Sequence, residues 1–212
     1  MASQQVETTL YSLSENLPEP EERREGDRHM TLYRVGSLSI DERRELCLIK
    51  NISAGGMMVR AYCAIPQGTR VSVELKCGQP IAGTVTWFRE PNAGITFDRQ
   101  IDVIEISSAS VHGPRPRMPR IAIDSIVTVR DGASIYRLRG CDVSQGGIKV
   151  HSATPIESGT EVVVTLLGLE PQPAVVRWSE GGQLGLTFNR SLPLPLLVGW
   201  LQDQRGRSCA TS

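Results

Sequence analysis

The chain has 212 residues, of which 23 are basic and 23 acidic, so its formal net charge is zero and nothing global draws it to nucleic acid or an anionic membrane. Its length exceeds one ordinary small domain. The five cysteines (Cys47, Cys63, Cys77, Cys141 and Cys209) are odd in number and lack C-x-x-C spacing, which argues against a disulfide framework or zinc knuckle and points to a reducing cytoplasm.

Residues 1–20 are polar and close on Pro-Glu-Pro. They lack a basic start followed by an apolar run, so they do not resemble a secretory signal. Val6, Leu10 and Leu13 have helical spacing, but so little apolar surface is expected to leave a flexible arm. From residue 31 the pattern turns to period two, rich in valine, isoleucine and threonine. TLYRVGSLSI, ELCLIKNI, GMMVRA, TRVSVELKC, IAGTVTWF and AGITF read as short strands, punctuated by Gly55-Gly56, Pro66-Gln67-Gly68, Gly78-Gln79-Pro80 and Pro91-Asn92. No stretch long enough for a parallel crossover intervenes, so the topology is antiparallel. Closing a few short strands into a small barrel removes both exposed edges.

The series then returns. NISAGG at 51–56 reappears as DVSQGG at 142–147, an offset of 91 residues. At the same offset Trp87, Gly94 and Phe97 become Trp178, Gly185 and Phe188, while Val71, Val73 and Leu75 become Val162, Val164 and Leu166. Two copies of one domain explain this. In LPLPLLVGWLQDQ, Leu194, Leu197, Val198 and Leu201 have the spacing of a short helix packed on the second barrel. The apolar run Leu192 to Leu201 is too short, and too rich in proline, for a membrane span. The expected class is all-β: an arm (1–20), domain 1 (21–106), a proline-rich linker (107–114), domain 2 (115–202) and a tail (203–212).

Chemistry concentrates at two places. Arg24 and Arg28 form R-x-x-x-R ahead of the first strand, and guanidinium forks can hold phosphate oxygens bidentately or stack on a base. Asn51, Ser53 and Gly56 form N-x-S-x-x-G on a hairpin connection. There an amide carbonyl can accept from a purine N–H, a hydroxyl can donate or accept, and glycines permit positive φ and close backbone approach. Taken singly, each piece is also what a solvated charge cluster or an ordinary tight turn uses. His29, His112 and His151 have no second ligand at metal spacing, and Ser53 and Ser144 have no partnered histidine, so neither a metal site nor a catalytic residue is expected. Trp87 and Trp178 fit core or barrel-rim positions, and the few aromatics argue against a single-strand nucleic-acid barrel.

In combination, R-x-x-x-R, then (D/N)-x-S-x-x-G, G-x-V-x-W and a closing G-I-x-F, the chain resembles the PilZ family of bacterial cyclic di-GMP receptors, over residues 21–106 and again 115–202. The resemblance implies a six-stranded antiparallel barrel in each copy. It also implies cyclic di-GMP as ligand, with arginines on phosphates and guanine and the Asn/Asp-x-Ser turn on the guanine edge. Carried over, site 1 comprises Arg23, Arg24, Arg28, Asn51, Ser53 and Gly56. Site 2 comprises Arg115, Arg117, Arg120, Asp142, Ser144 and Gly147, but no two of its arginines stand four apart, and Pro116 and Pro119 stiffen the segment. Two functions stay open: a cytoplasmic receptor that binds nucleotide mainly through domain 1 and acts on a protein partner, or a nucleotide-independent protein-interaction module.

Overall fold

Residues 30–75, 80–104 and 118–209 are described by the structure, a computed structural model of the chain. The first copy contains β1 (Met30–Ile40), β2 (Arg43–Ile52), β3 (Gly56–Arg60), β4 (Arg70–Glu74), β5 (Ile81–Arg89) and β6 (Asn92–Phe97). These close in the order β1-β2-β3-β6-β5-β4, with every pairing antiparallel. Alternation explains the closure: Cys47, Ile49, Val59, Val73, Val85 and Ile95 point inward and form a dry core.

The second copy contains β7 (Ile121–Ala122), β8 (Ile126–Asp131), β9 (Ser134–Ser144), β10 (Gly147–His151), β11 (Glu161–Leu166), β12 (Gln172–Glu180) and β13 (Gln183–Phe188). The ring β8-β9-β10-β13-β12-β11 closes through the β9–β10 pairing, and β7 lies on the edge of β9. Met30 pairs with Ile52 as Ile121 pairs with Val143, so β7 is the counterpart of the start of β1, detached from the rest of its strand. Local detail repeats too. Gly68 (φ 87°) and Gly159 (φ 95°) take the left-handed backbone glycine favours, and each N–H donates at 2.8 Å to the carbonyl of Val85 or Val176.

The barrel ends on α1 (Leu194–Cys209), whose Leu194, Leu197, Val198 and Leu201 are all buried, as their spacing predicts. Trp200 Nε1 donates to the Leu167 carbonyl at 2.9 Å and fixes the helix against the β11–β12 turn. The helix is 16 residues long, longer than its apolar spacing predicts, and runs through most of the segment expected to be a tail. Contacts with the first barrel account for the extension. Gln202 Nε2 donates to the Tyr62 carbonyl at 2.7 Å, Arg205 Nη2 donates to the Arg44 carbonyl at 3.0 Å, and Arg205 Nη1 pairs with the Glu45 carboxylate.

Beside those polar contacts, Leu46 is buried in the core of the second barrel, with Val35, Leu48 and Tyr62 packed around it. Strand β2 thus faces two cores, with Cys47 and Ile49 in its own and Leu46 and Leu48 against its neighbour's. The arm and the linker lie outside the described residues.

Candidate functional site

In each copy the N/D-x-S-x-x-G turn joins two consecutive paired strands, β2 to β3 and β9 to β10. A bulge at Lys50 shifts the β2–β3 register between Ile49 and Asn51, and the same bulge recurs at Cys141 ahead of Asp142. Each bulge leaves two successive residues off the core: Lys50 and Asn51 in one copy, Cys141 and Asp142 in the other.

The serine fastens the turn. Ser53 donates its N–H to the Gly56 carbonyl at 2.8 Å and its hydroxyl to the same oxygen at 3.2 Å. Ser144 Oγ makes the matching bond to the Gly147 carbonyl at 3.3 Å. Ser53 is 8% exposed and Ser144 3%, so both hydroxyls are turned into the loop they hold.

Neither Gly56 nor Gly147 has a positive φ, which corrects one of the two roles expected of them. Close approach is the reason for glycine. A β-carbon on Gly56 would stand 2.5 Å from the Ile95 carbonyl oxygen, and one on Gly147 would stand 2.2 Å from that of Leu186. The turn is also tied to the end of its barrel, since the Gly55 carbonyl accepts from Phe97 N–H at 2.9 Å and the Gly146 carbonyl from Phe188 N–H at 3.0 Å.

The first residue of the motif separates the copies. Asn51 Oδ1 accepts the Met58 N–H at 3.1 Å, so the carbonyl expected to accept from a purine already has a protein donor. What Asn51 offers without a partner among the described residues is its Nδ2 amide. Asp142 instead pairs with Arg120 Nη1 through one oxygen and with Lys149 Nζ at 3.1 Å through the other. Lys149 is absent from the expected site. Its signal was in the repeat, where the Asn51–Met58 couple becomes Asp142–Lys149 at the same offset.

Of the expected arginines, Arg120 is therefore brought to its turn. Met118, just before it, lies over the turn as well, its Sδ 3.1 Å from where a β-carbon on Gly146 would be. Arg23, Arg24, Arg28, Arg115 and Arg117 lie outside the described residues. Burial pushes the Cys141 thiol above its ordinary range, while the Lys149 ammonium acts the other way. Among the described residues no three metal-ligating side chains converge, and no helix is long and apolar enough to cross a membrane.

Several solved structures resemble the chain at low identity. The Borreliella burgdorferi PlzA protein in complex with c-di-GMP is 12% identical, covering 82% of this chain and 92% of that one, with a TM-score of 0.36. Escherichia coli YcgR in complex with c-di-GMP is 16% identical, covering 84% and 86%, with a TM-score of 0.34. The Bacillus subtilis inhibitor of motility MotI/DgrA is 12% identical, covering 84% and 99%, with a TM-score of 0.33. A search of the curated proteins found no match. The PilZ domain family matches residues 22–109 and again 114–198, most of the sequence in two tandem stretches, and the chain belongs to that family.

Proposed function

We propose that the chain is a bacterial cytoplasmic receptor and effector for cyclic di-GMP, without catalytic activity, that binds nucleotide chiefly through its first barrel. The observation that supports this best is the difference at the turn. Asn51 keeps an unengaged amide beside the fastened Ser53–Gly56 loop, whereas Asp142 is already neutralised by Arg120 and Lys149. In the first barrel Arg24 and Arg28 take phosphates, and the Asn51 Nδ2 donates to the acceptor edge of guanine, O6 and N7. Ser53 and Gly56 act on the ligand by holding the loop, and Arg23 adds positive charge beside the clamp. At the second barrel, ligand must displace the Arg120 and Lys149 contacts before Arg115, Arg117 and Arg120 can serve it.

The same strand suggests an output. Leu48 and Leu46, which pack on the second barrel, precede Asn51 by three and five residues on β2, about 10 and 17 Å along the strand. Ligand at the turn therefore bears on the domain contact, and through it on a protein partner.

Calorimetric titration of the whole chain with cyclic di-GMP is the test. Saturable binding is expected, weakened about a hundredfold by Arg28→Ala, since charge-assisted hydrogen bonds contribute about 1.5–3 kcal/mol each. Arg120→Ala should change it little. The opposite ranking would move the principal site to the second barrel. No binding heat, with no nucleotide detected by a second method, leaves the interaction module, which the occupied Asp142 already favours for the second barrel.

A further inference from the structure

The outer face of β8, β9 and β10 is apolar and basic at once. Ile135, Arg137 and Arg139 alternate outward along β9, with Ile126 opposite Arg139 on β8 and His151 opposite Arg139 on β10. Ile126 and Ile135 are 55% and 65% exposed. A groove of about 470 Å³ runs between Arg137, Arg139, His151 and Thr154. Asp124 already holds Arg139 through two 2.7 Å bonds, whereas Arg130, Arg137 and His151 have no hydrogen-bonding or ionic partner among the described residues.

The repeat says what such a face is for. At the offset of 91 residues, Leu46, Leu48 and Arg60 of the first barrel stand where the second has Arg137, Arg139 and His151. In the first barrel that face is covered, with Leu46 buried against the second core and α1 anchored beside it by Gln202 and Arg205. In the second barrel no described residue covers it. Its Arg130 and Arg137, unpaired among the described residues, suit an acidic segment that has apolar residues along one side.

The chain contains such a segment. Residues 1–22 carry five glutamates and no lysine or arginine. Val6, Leu10, Leu13 and Leu17 repeat at the spacing of one helical face. The segment ends seven residues before β1, which allows a reach of about 23 Å. Strand β1 starts against the Asn51 end of β2, β2 lies beside β7, and β7 pairs with β9. Paired strands are about 4.8 Å apart, which brings residue 22 within reach of the Val143 end of β9, and a helix over residues 5–22, about 27 Å long, spans the strand from there to Ile135.

We propose that residues 5–22 dock in cis on the Ile126, Ile135, Arg137 and His151 face of the second barrel, as α1 covers the equivalent face of the first. The arm then has a surface to fold on that its own composition does not provide. This holds whether or not the first barrel takes nucleotide.

Hydrogen exchange of the full-length protein without ligand tests it. Amides in residues 5–22 should exchange at least tenfold slower than their intrinsic rate. The double variant Ile135→Glu/Arg137→Glu, changed only at exposed positions, should lose that protection while β9 and β10 keep theirs. Exchange of the segment at its intrinsic rate in the parent protein overturns the proposal, as does equal protection in the variant. Sedimentation velocity on the same samples should show a mass independent of concentration. A mass that rises with concentration and falls in the double variant would place the contact between copies and overturn the assignment in cis.

Discussion

The indole of Trp87 covers Gly94 on the neighbouring strand so closely that a β-carbon on the glycine would stand 2.0 Å from Trp87 Nε1, and Trp178 covers Gly185 in the same way at 2.1 Å. Both pairs sit opposite each other just past a bulge in β5 or β12. The tryptophans lie on the outer faces of the barrels, 37% and 40% exposed, and their inner ring faces shield backbone that would otherwise meet water.

Gly94→Ala or Gly185→Ala should therefore push the ring off the strand. The cost of such overpacking is about 1–3 kcal/mol. A lowered melting temperature with red-shifted tryptophan emission is expected. An unchanged emission spectrum would show that the ring does not rest on the glycine.

The two glycines of the motif should behave differently. Gly55 has no atom within 4 Å of a built β-carbon and no positive φ, whereas the β-carbon at Gly56 would lie 2.5 Å from a backbone oxygen. Gly55→Ala should leave stability within about 0.5 kcal/mol of the parent. Gly56→Ala should destabilise by about 1–3 kcal/mol, because the backbone of β6 must move. Chemical denaturation of both variants separates them, and equal effects would remove the packing account of Gly56.

Leu46 joins the barrels, so Leu46→Ala should cost about 2–3 kcal/mol and loosen the contact while leaving the first barrel's own core intact. Thermal unfolding should split into two transitions, or broaden, where the parent unfolds in one. If the variant keeps a single sharp transition at the parent's temperature, Leu46 does not couple the domains.

Cys47 is fully buried, and desolvation pushes its thiol from 9.0 to about 12. A raised folded value favours the folded state below the unfolded value and loses that benefit as pH rises through the folded one. Stability should therefore decline from about pH 9 upward. Cys47→Ala should flatten that decline while carrying its own cavity cost. At pH 8 a thiol reagent should label Cys47 only on the unfolding timescale. Rapid labelling of native protein at Cys47 would contradict its burial.

Much of the fold was legible because it is local and periodic. Alternation along TRVSVELKC or IAGTVTWF names a strand and its inner face, and the 91-residue offset names a second barrel from the first. Both barrels and the helix at Leu194 follow from those patterns, and the turn motif marks the hairpin each barrel closes on.

What the sequence could not decide depends on groups far apart along the chain. Ser53 looks like a ligand group in sequence, and its hydroxyl donates to Gly56, which leaves it an acceptor towards anything beyond the loop. Asn51 and Asp142 look interchangeable, but one is held by a backbone N–H and the other by Arg120 and Lys149. The pairing of Glu45 with Arg205 spans 160 residues and has no local trace. Leu46 and Leu48 alternate like surface or core residues alike, and only the docking of the second barrel makes them an interface. Periodicity specifies which face of a strand is apolar. Which neighbour covers that face is set by the packing of whole domains, where burial and charge pairing are decided together.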